Sequence, residues 1–81
     1  MLFLKDGIIY LQIYEYYKKE IIKGTYVAHS KLPSKRRLSN EYQISLTSVE
    51  NAYAKLLEEG FIYAKERKGY FVSDVGELYV L

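Results

Sequence analysis

Eighty-one residues allow one small domain, and a chain of this size buries only about 60% of the surface that it exposes when unfolded. A hydrophobic fraction of 49%, with ten Tyr and three Phe, supplies a core, while the absence of cysteine excludes a disulfide framework and a thiolate metal site. The formal net charge of +2 decides little by itself, but its distribution is uneven. Lys31, Lys35, Arg36 and Arg37 stand together without an acid, and Lys65, Arg67 and Lys68 gather around a single Glu66.

The N-terminus MLFLKDG has no basic region followed by a long apolar run, so it does not read as a signal peptide. Apolar runs fall far short of the ~20 residues that span a bilayer. These features predict a cytoplasmic protein that is not inserted in a membrane. Residues 1–7 read as an N-terminal arm.

From Ile8 to Lys23 the pattern is helical. Ile9, Ile13, Tyr17 and Ile21 recur every four positions, and Tyr10, Tyr14 and Ile22 widen the apolar stripe. Gly24 follows as a stop, because glycine takes a positive φ freely. Thr25–Leu32 is too short for another helix and has room for one brief strand. Its His29 is the only histidine, without the carboxylates or cysteines that would make a metal site.

Pro33-Ser34 starts a second helix. The serine side chain can accept from free N–H groups of the first turn, an interaction worth about 1 kcal/mol. The helix runs from Lys35 to about Tyr42, with Leu38 and Tyr42 inward. Arg36 and Arg37 in that first turn face the positive end of the helix dipole, which is mildly unfavourable. A polyanion bound there would explain the pair; a solvated charged face is the alternative.

Gln43-Ile44 makes a turn, with Ile44 inward. Ser45 caps the third helix, and Thr47…Glu50 offers a second capping register. Val49, Ala52, Tyr53, Leu56 and Leu57 then form the cleanest apolar stripe in the chain, ended by Glu59-Gly60. Phe61–Ala64 and Tyr70–Val72 are β-rich runs, and the five residues Lys65–Gly69 suit a hairpin loop. Residues 74–81 read as a C-terminal tail or the start of a linker to an effector domain.

The order predicts a mainly α fold with a small β-hairpin, a winged helix-turn-helix over residues 8–73. Such a unit presents the first turn of its second helix to base edges in the major groove. Here the outward set of that turn is Leu46, Thr47, Ser48 and Glu50, next to the cap Ser45. The hydroxyls of Thr47 and Ser48 suit phosphate or base contacts. Leu46 can touch only an apolar edge such as a thymine methyl, and Glu50 repels phosphate unless it accepts from a cytosine amino group. The backbone grip is therefore expected from Lys35, Arg36 and Arg37, and from Lys65, Arg67 and Lys68 in the wing. Gly69 either lets the wing backbone approach a phosphate or simply closes the hairpin. Enzymatic readings find no support: the sequence has no Cys, one His, no carboxylates clustered in a glycine-bearing pocket and no phosphate-binding glycine loop. The tyrosines follow helical and strand spacing, as core packing requires.

Taken together, LPS-K-R-x-L, Ser-x-x-x-Val-x-x-Ala-Tyr-x-x-Leu-x-x-Glu-Gly-Phe-Ile and Gly-Tyr-Phe-Val resemble the DNA-binding domain of GntR-family bacterial regulators. The likeness extends upstream through Tyr10-x-Gln12-Ile13 and Gly24. VENAYAKLLEEGFIY and KGYFV look most like the MocR subfamily, with the YtrA-like branch second. The resemblance implies sequence-specific binding of double-stranded operator DNA by the N-terminal domain of a transcriptional regulator, as a homodimer. It places the DNA-contacting arginine of the LPS-x-R motif at Arg36, the recognition turn at Ser45–Val49 and the wing-tip glycine at Gly69. It assigns no cofactor to this chain; pyridoxal phosphate would belong to a MocR-type C-terminal domain.

Three departures from that family pattern stand out. Leu46 replaces a base-contacting arginine. Gln43 replaces a glycine in the turn and is expected to hold a positive φ. Ala28-His29 replaces Pro-Gly, which predicts a looser loop. The rival reading is a winged helix used for protein–protein contact, favoured by Leu46, Glu50 and the apolar Leu78–Leu81 tail.

Overall fold

The computed structural model describes residues 8–74, so the arm at 1–7 and the tail beyond Asp74 lie outside the described residues. Three helices come first: α1 (Ile9–Lys23), α2 (Lys35–Tyr42) and α3 (Leu46–Glu58). They are followed by strands β1 (Ile62–Lys65) and β2 (Gly69–Val72), paired as an antiparallel hairpin. This is the expected winged helix-turn-helix.

Local chemistry sets the helix boundaries. Gly24 closes α1 at φ 86° and donates its N–H back to the last turn. Ser34 Oγ accepts from the Arg37 N–H at 3.1 Å to open α2. Ser45 Oγ accepts from the Ser48 N–H at 3.0 Å to open α3, so Ser45 rather than Thr47 supplies the cap. Ile8 lies one residue outside α1, at its N-cap, with no side-chain hydrogen bond.

One face of each element meets in a single core. Ile13, Tyr17 and Ile21 of α1 pack with Val49, Ala52, Tyr53 and Leu56 of α3. Leu38 of α2 joins from the side, and Phe61, Ile62 and Val72 close the hairpin end. Each fully buried large apolar side chain contributes roughly 1.5–3 kcal/mol. Leu57, Ile44 and Tyr42 are half-buried at the margin. Ile22 corrects the expected α1 stripe: it is 48% exposed, because its direction on the helix falls outside the arc that α3 covers.

The tyrosines are core-builders, as their spacing suggests. Tyr17 meets Tyr53 edge-on with ring centroids 6.2 Å apart, and Tyr53 meets Tyr70 edge-on at 5.3 Å. Tyr26 leans on Tyr17 at 5.7 Å. Burial pushes the Tyr17 and Tyr53 phenols well above the ordinary tyrosine range, and Tyr26 up to about 12. The row links α1 and α3 to the wing.

The register Ile62↔Val72, Tyr63↔Phe71, Ala64↔Tyr70, Lys65↔Gly69 leaves a loop of Glu66, Arg67 and Lys68. That loop is shorter than the expected Lys65–Gly69, since both end residues pair within the strands. The Lys68 N–H donates to the Lys65 carbonyl at 3.0 Å, and Arg67 takes φ 64° inside the turn. The brief strand expected before α2 is present as a bridge between Lys31 and Phe71. It is fixed by Leu32 N–H to Tyr70 O and Val72 N–H to Ser30 O, both 2.9 Å.

His29 reverses the expectation of a loose loop. It adopts φ 68°, its N–H donates to the Val72 carbonyl at 2.7 Å, and its Nδ1 lies 2.7 Å from the Tyr63 hydroxyl. Backbone and side chain together tie this loop to the hairpin. Gln43 holds the left-handed φ of 52° expected of it and donates its N–H to Ser39 O. The adjoining turn is reinforced by Ser39 Oγ donating to Ile44 O at 2.6 Å.

Candidate nucleic-acid interface

Between α2, α3 and the wing lies a cleft of about 420 Å³. Three separate parts of the chain form its walls: Lys35 and Arg36 from the first turn of α2, Leu46 and Glu50 from α3, and Arg67–Tyr70 from the wing. Lys31, just before α2, also lines it. Five cations thus surround one carboxylate, Glu50, and none of the five forms an ion pair among the described residues. Unpaired cations converging on a concave surface favour a bound polyanion.

Leu46 and Glu50 are four residues apart on a helix, hence neighbours on one face. Leu46 is half-buried and Glu50 exposed. Thr47 is exposed in the same turn but does not line the cleft. Ser45 uses its hydroxyl in the cap, accepting from the Ser48 N–H and donating to Ser48 Oγ at 2.9 Å. The proton of the Ser48 hydroxyl therefore stays available for an external acceptor.

The structure divides the expected cationic residues. Arg36 lines the cleft, whereas Arg37 points to the other side of α2 and meets Glu41 at 3.6 Å in an exposed i,i+4 pair. Lys35 lies with Nζ 5.4 Å from the Tyr70 ring centroid, so the wing tyrosine steadies it. Lys65 lies outside the cleft, with Nζ 4.9 Å from the Phe71 ring centroid. Lys65 shares a face with Tyr63 and Phe71, opposite Ile62 and Val72, but it stands on β1, on the far side of β2 from the Lys31 bridge.

Lys31 and Tyr70 also line the cleft and were not among the expected site residues. Lys31 was visible as part of the basic cluster, but its pairing to β2 joins residues forty positions apart. Tyr70 carries no local signal beyond β propensity. Gly69 has φ 113°, and a Cβ built there would come 3.1 Å from Lys31 Cε. The bare glycine face is occupied by the stem of that lysine.

A helix-turn-helix with a hairpin wing and a cation-lined cleft at the first turn of its second helix defines the class of winged-helix nucleic-acid-binding domains. The model of bacterial regulatory proteins of the gntR family matches residues 9–72, and the chain belongs to this family. It is 46% identical over 65 residues to the HTH-type transcriptional regulator YdeL of Bacillus subtilis, covering 80% of this chain and 14% of that protein. The chain thus spans about one seventh of that relative's length.

Among solved structures, YtrA from Sulfolobus acidocaldarius, a GntR-family transcription factor, superposes with a TM-score of 0.78 at 35% identity. The match covers 88% of this chain and 73% of that one. A GntR-family transcriptional regulator from Listeria monocytogenes gives 0.81 at 36% identity, over 89% and 63% of the two chains. AraR(DBD), solved in complex with operator ORX1, gives 0.73 at 25% identity over 79% and 77%.

Proposed function

We propose that this chain binds operator DNA as the DNA-binding domain of a bacterial transcriptional regulator, and that its role is recognition rather than catalysis. The convergence of α2, α3 and the wing on one cleft with five cations and one carboxylate is the observation that carries this reading. The likeness to AraR(DBD), which is solved with its operator, supports it. In this reading the first turn of α3 enters the major groove. Arg36, Arg67 and Lys68 hold phosphates on either side, with Lys35 and the Thr47 and Ser48 hydroxyls as further backbone contacts. Leu46 and Glu50 face base edges and carry the sequence preference.

Affinity for duplex DNA at two salt concentrations tests the proposal. Each neutralised phosphate adds about −0.9 to the slope of log K against log salt, so binding should weaken steeply as salt rises. Salt-independent binding overturns the reading. A stable protein complex with no DNA shift at low salt would decide for the protein–protein module instead.

A single cleft of this size engages few phosphates, and we infer that the chain acts on DNA as a homodimer on two half-sites. Two chains per duplex in a sizing experiment is the expected result. Within the family, the likeness to YtrA favours a YtrA-like placement, and the MocR-like reading finds no support among the relatives. The bacterial cytoplasm, where operator DNA resides, is the proposed location.

A further inference from the structure

The backbone of Lys31 is held against β2 by an isolated bridge to Phe71 and the flanking Leu32–Tyr70 and Ser30–Val72 hydrogen bonds. Its side chain runs diagonally over Gly69, two residues from that partner, and the ideal Cβ position on Gly69 lies 3.1 Å from Lys31 Cε and 3.9 Å from Nζ. Lysine stems lie along a surface while the ammonium stays in water, and here the surface is bare glycine backbone. Lys31 is exposed and forms no ion pair among the described residues. The cleft that it lines also holds Arg36 from α2 and Arg67 and Lys68 from the wing.

We propose that Lys31 is a phosphate-binding residue of this domain and that Gly69 is the seat that holds its side chain over the wing. The inference rests on the DNA-binding reading above and adds a residue and a mechanism to it. A lysine is a compact point charge with three rotatable donors, so it can follow a phosphate from a fixed backbone without needing bidentate geometry. Gly69 then serves DNA indirectly. Its missing Cβ makes room for the cation, and close approach of the wing backbone to DNA is not required.

The test is a salt titration of duplex binding by the 81-residue chain, comparing wild type with Lys31→Gln, Lys31→Arg and the control Lys19→Gln on α1. Lys31→Gln should flatten the slope by about 0.9, the loss of one phosphate contact. Lys31→Arg and Lys19→Gln should keep the wild-type slope. A wild-type slope in Lys31→Gln overturns the Lys31 assignment alone, whereas a wild-type chain without salt-dependent binding overturns the DNA reading and Lys31 with it. The seat is tested by thermal unfolding: Gly69→Ala should lower Tm less when Lys31 is also replaced by Ala. Equal losses in the two backgrounds overturn the seat.

Discussion

The Tyr53 hydroxyl, carried by the core face of α3, donates to the Pro33 carbonyl at 2.7 Å. One side chain therefore fixes the residue immediately before the cap of α2, and with it the start of the helix that carries Arg36. The ring of Tyr53 also meets Tyr17 and Tyr70 edge-on, so the same residue joins α1, α2 and the wing. Tyr53→Phe keeps the ring contacts and removes the hydrogen bond, and should lower stability by about 1 kcal/mol. Tyr53→Ala should cost about 3–5 kcal/mol, a large share of what a domain of this size possesses. Urea denaturation of the two variants checks both values.

Arg36 and Arg37 are adjacent in sequence and separated in space. Arg36 lines the cleft, and Arg37 sits beside Glu41 on the other side of α2. Arg36→Ala should weaken binding to every duplex and flatten the salt slope by about 0.9. Arg37→Ala should leave the slope nearly unchanged, and its exposed ion pair contributes at most about 1 kcal/mol to stability. Equal losses from the two variants would contradict this division.

Leu46 is the only apolar side chain of the outward first turn of α3. If it packs on a thymine methyl, replacing that thymine with deoxyuridine in a selected operator should weaken binding about fourfold, the equivalent of about 0.8 kcal/mol for one buried carbon. Leu46→Ala should erase the difference between the two duplexes. Glu50→Gln should instead relax discrimination at a neighbouring cytosine, since an amide can donate as well as accept. Selection from a random library followed by these substitutions measures both effects.

The Tyr14 hydroxyl donates to the Glu59 carboxylate across α1 and α3, and Lys55 lies 3.5 Å from the same group. The hydrogen bond, with help from Lys55 and Lys18, holds the Glu59 pKa below its ordinary value. A carboxyl with a depressed folded pKa stabilises the fold above its unfolded pKa, and that contribution disappears as pH falls through the folded value. Stability should therefore decline on acidification from about pH 5 downwards. Tyr14→Phe should show a smaller decline over the same window, measured as the urea midpoint against pH.

The helices were legible because their boundaries are made by neighbouring residues. Ser34 and Ser45 accept from N–H groups three positions on, and Gly24 turns the chain where the α1 pattern ends. The departure at Gln43 was legible too: a turn between α2 and α3 needs a left-handed residue, and Gln43 takes φ 52°. The loop at Ala28-His29 was misjudged, because its anchors are Val72 and Tyr63, more than thirty residues away.

What the sequence determined by itself is the order of elements, the inward stripe of each helix and the presence of cations near both α2 and the wing. These follow from propensity, capping and periodicity, which act over a few residues. Only the tertiary structure decided which cations share a cleft. The facing of α2 on α3 puts Arg36 inside and Arg37 outside, and Lys65, on the strand beyond β2, rests on the Phe71 ring instead. Pairing with β2 brings Lys31 over Gly69. Each of those outcomes depends on the direction of a side chain after distant faces have packed, and burial of Ile62 and Val72 in one register fixes that direction for the wing.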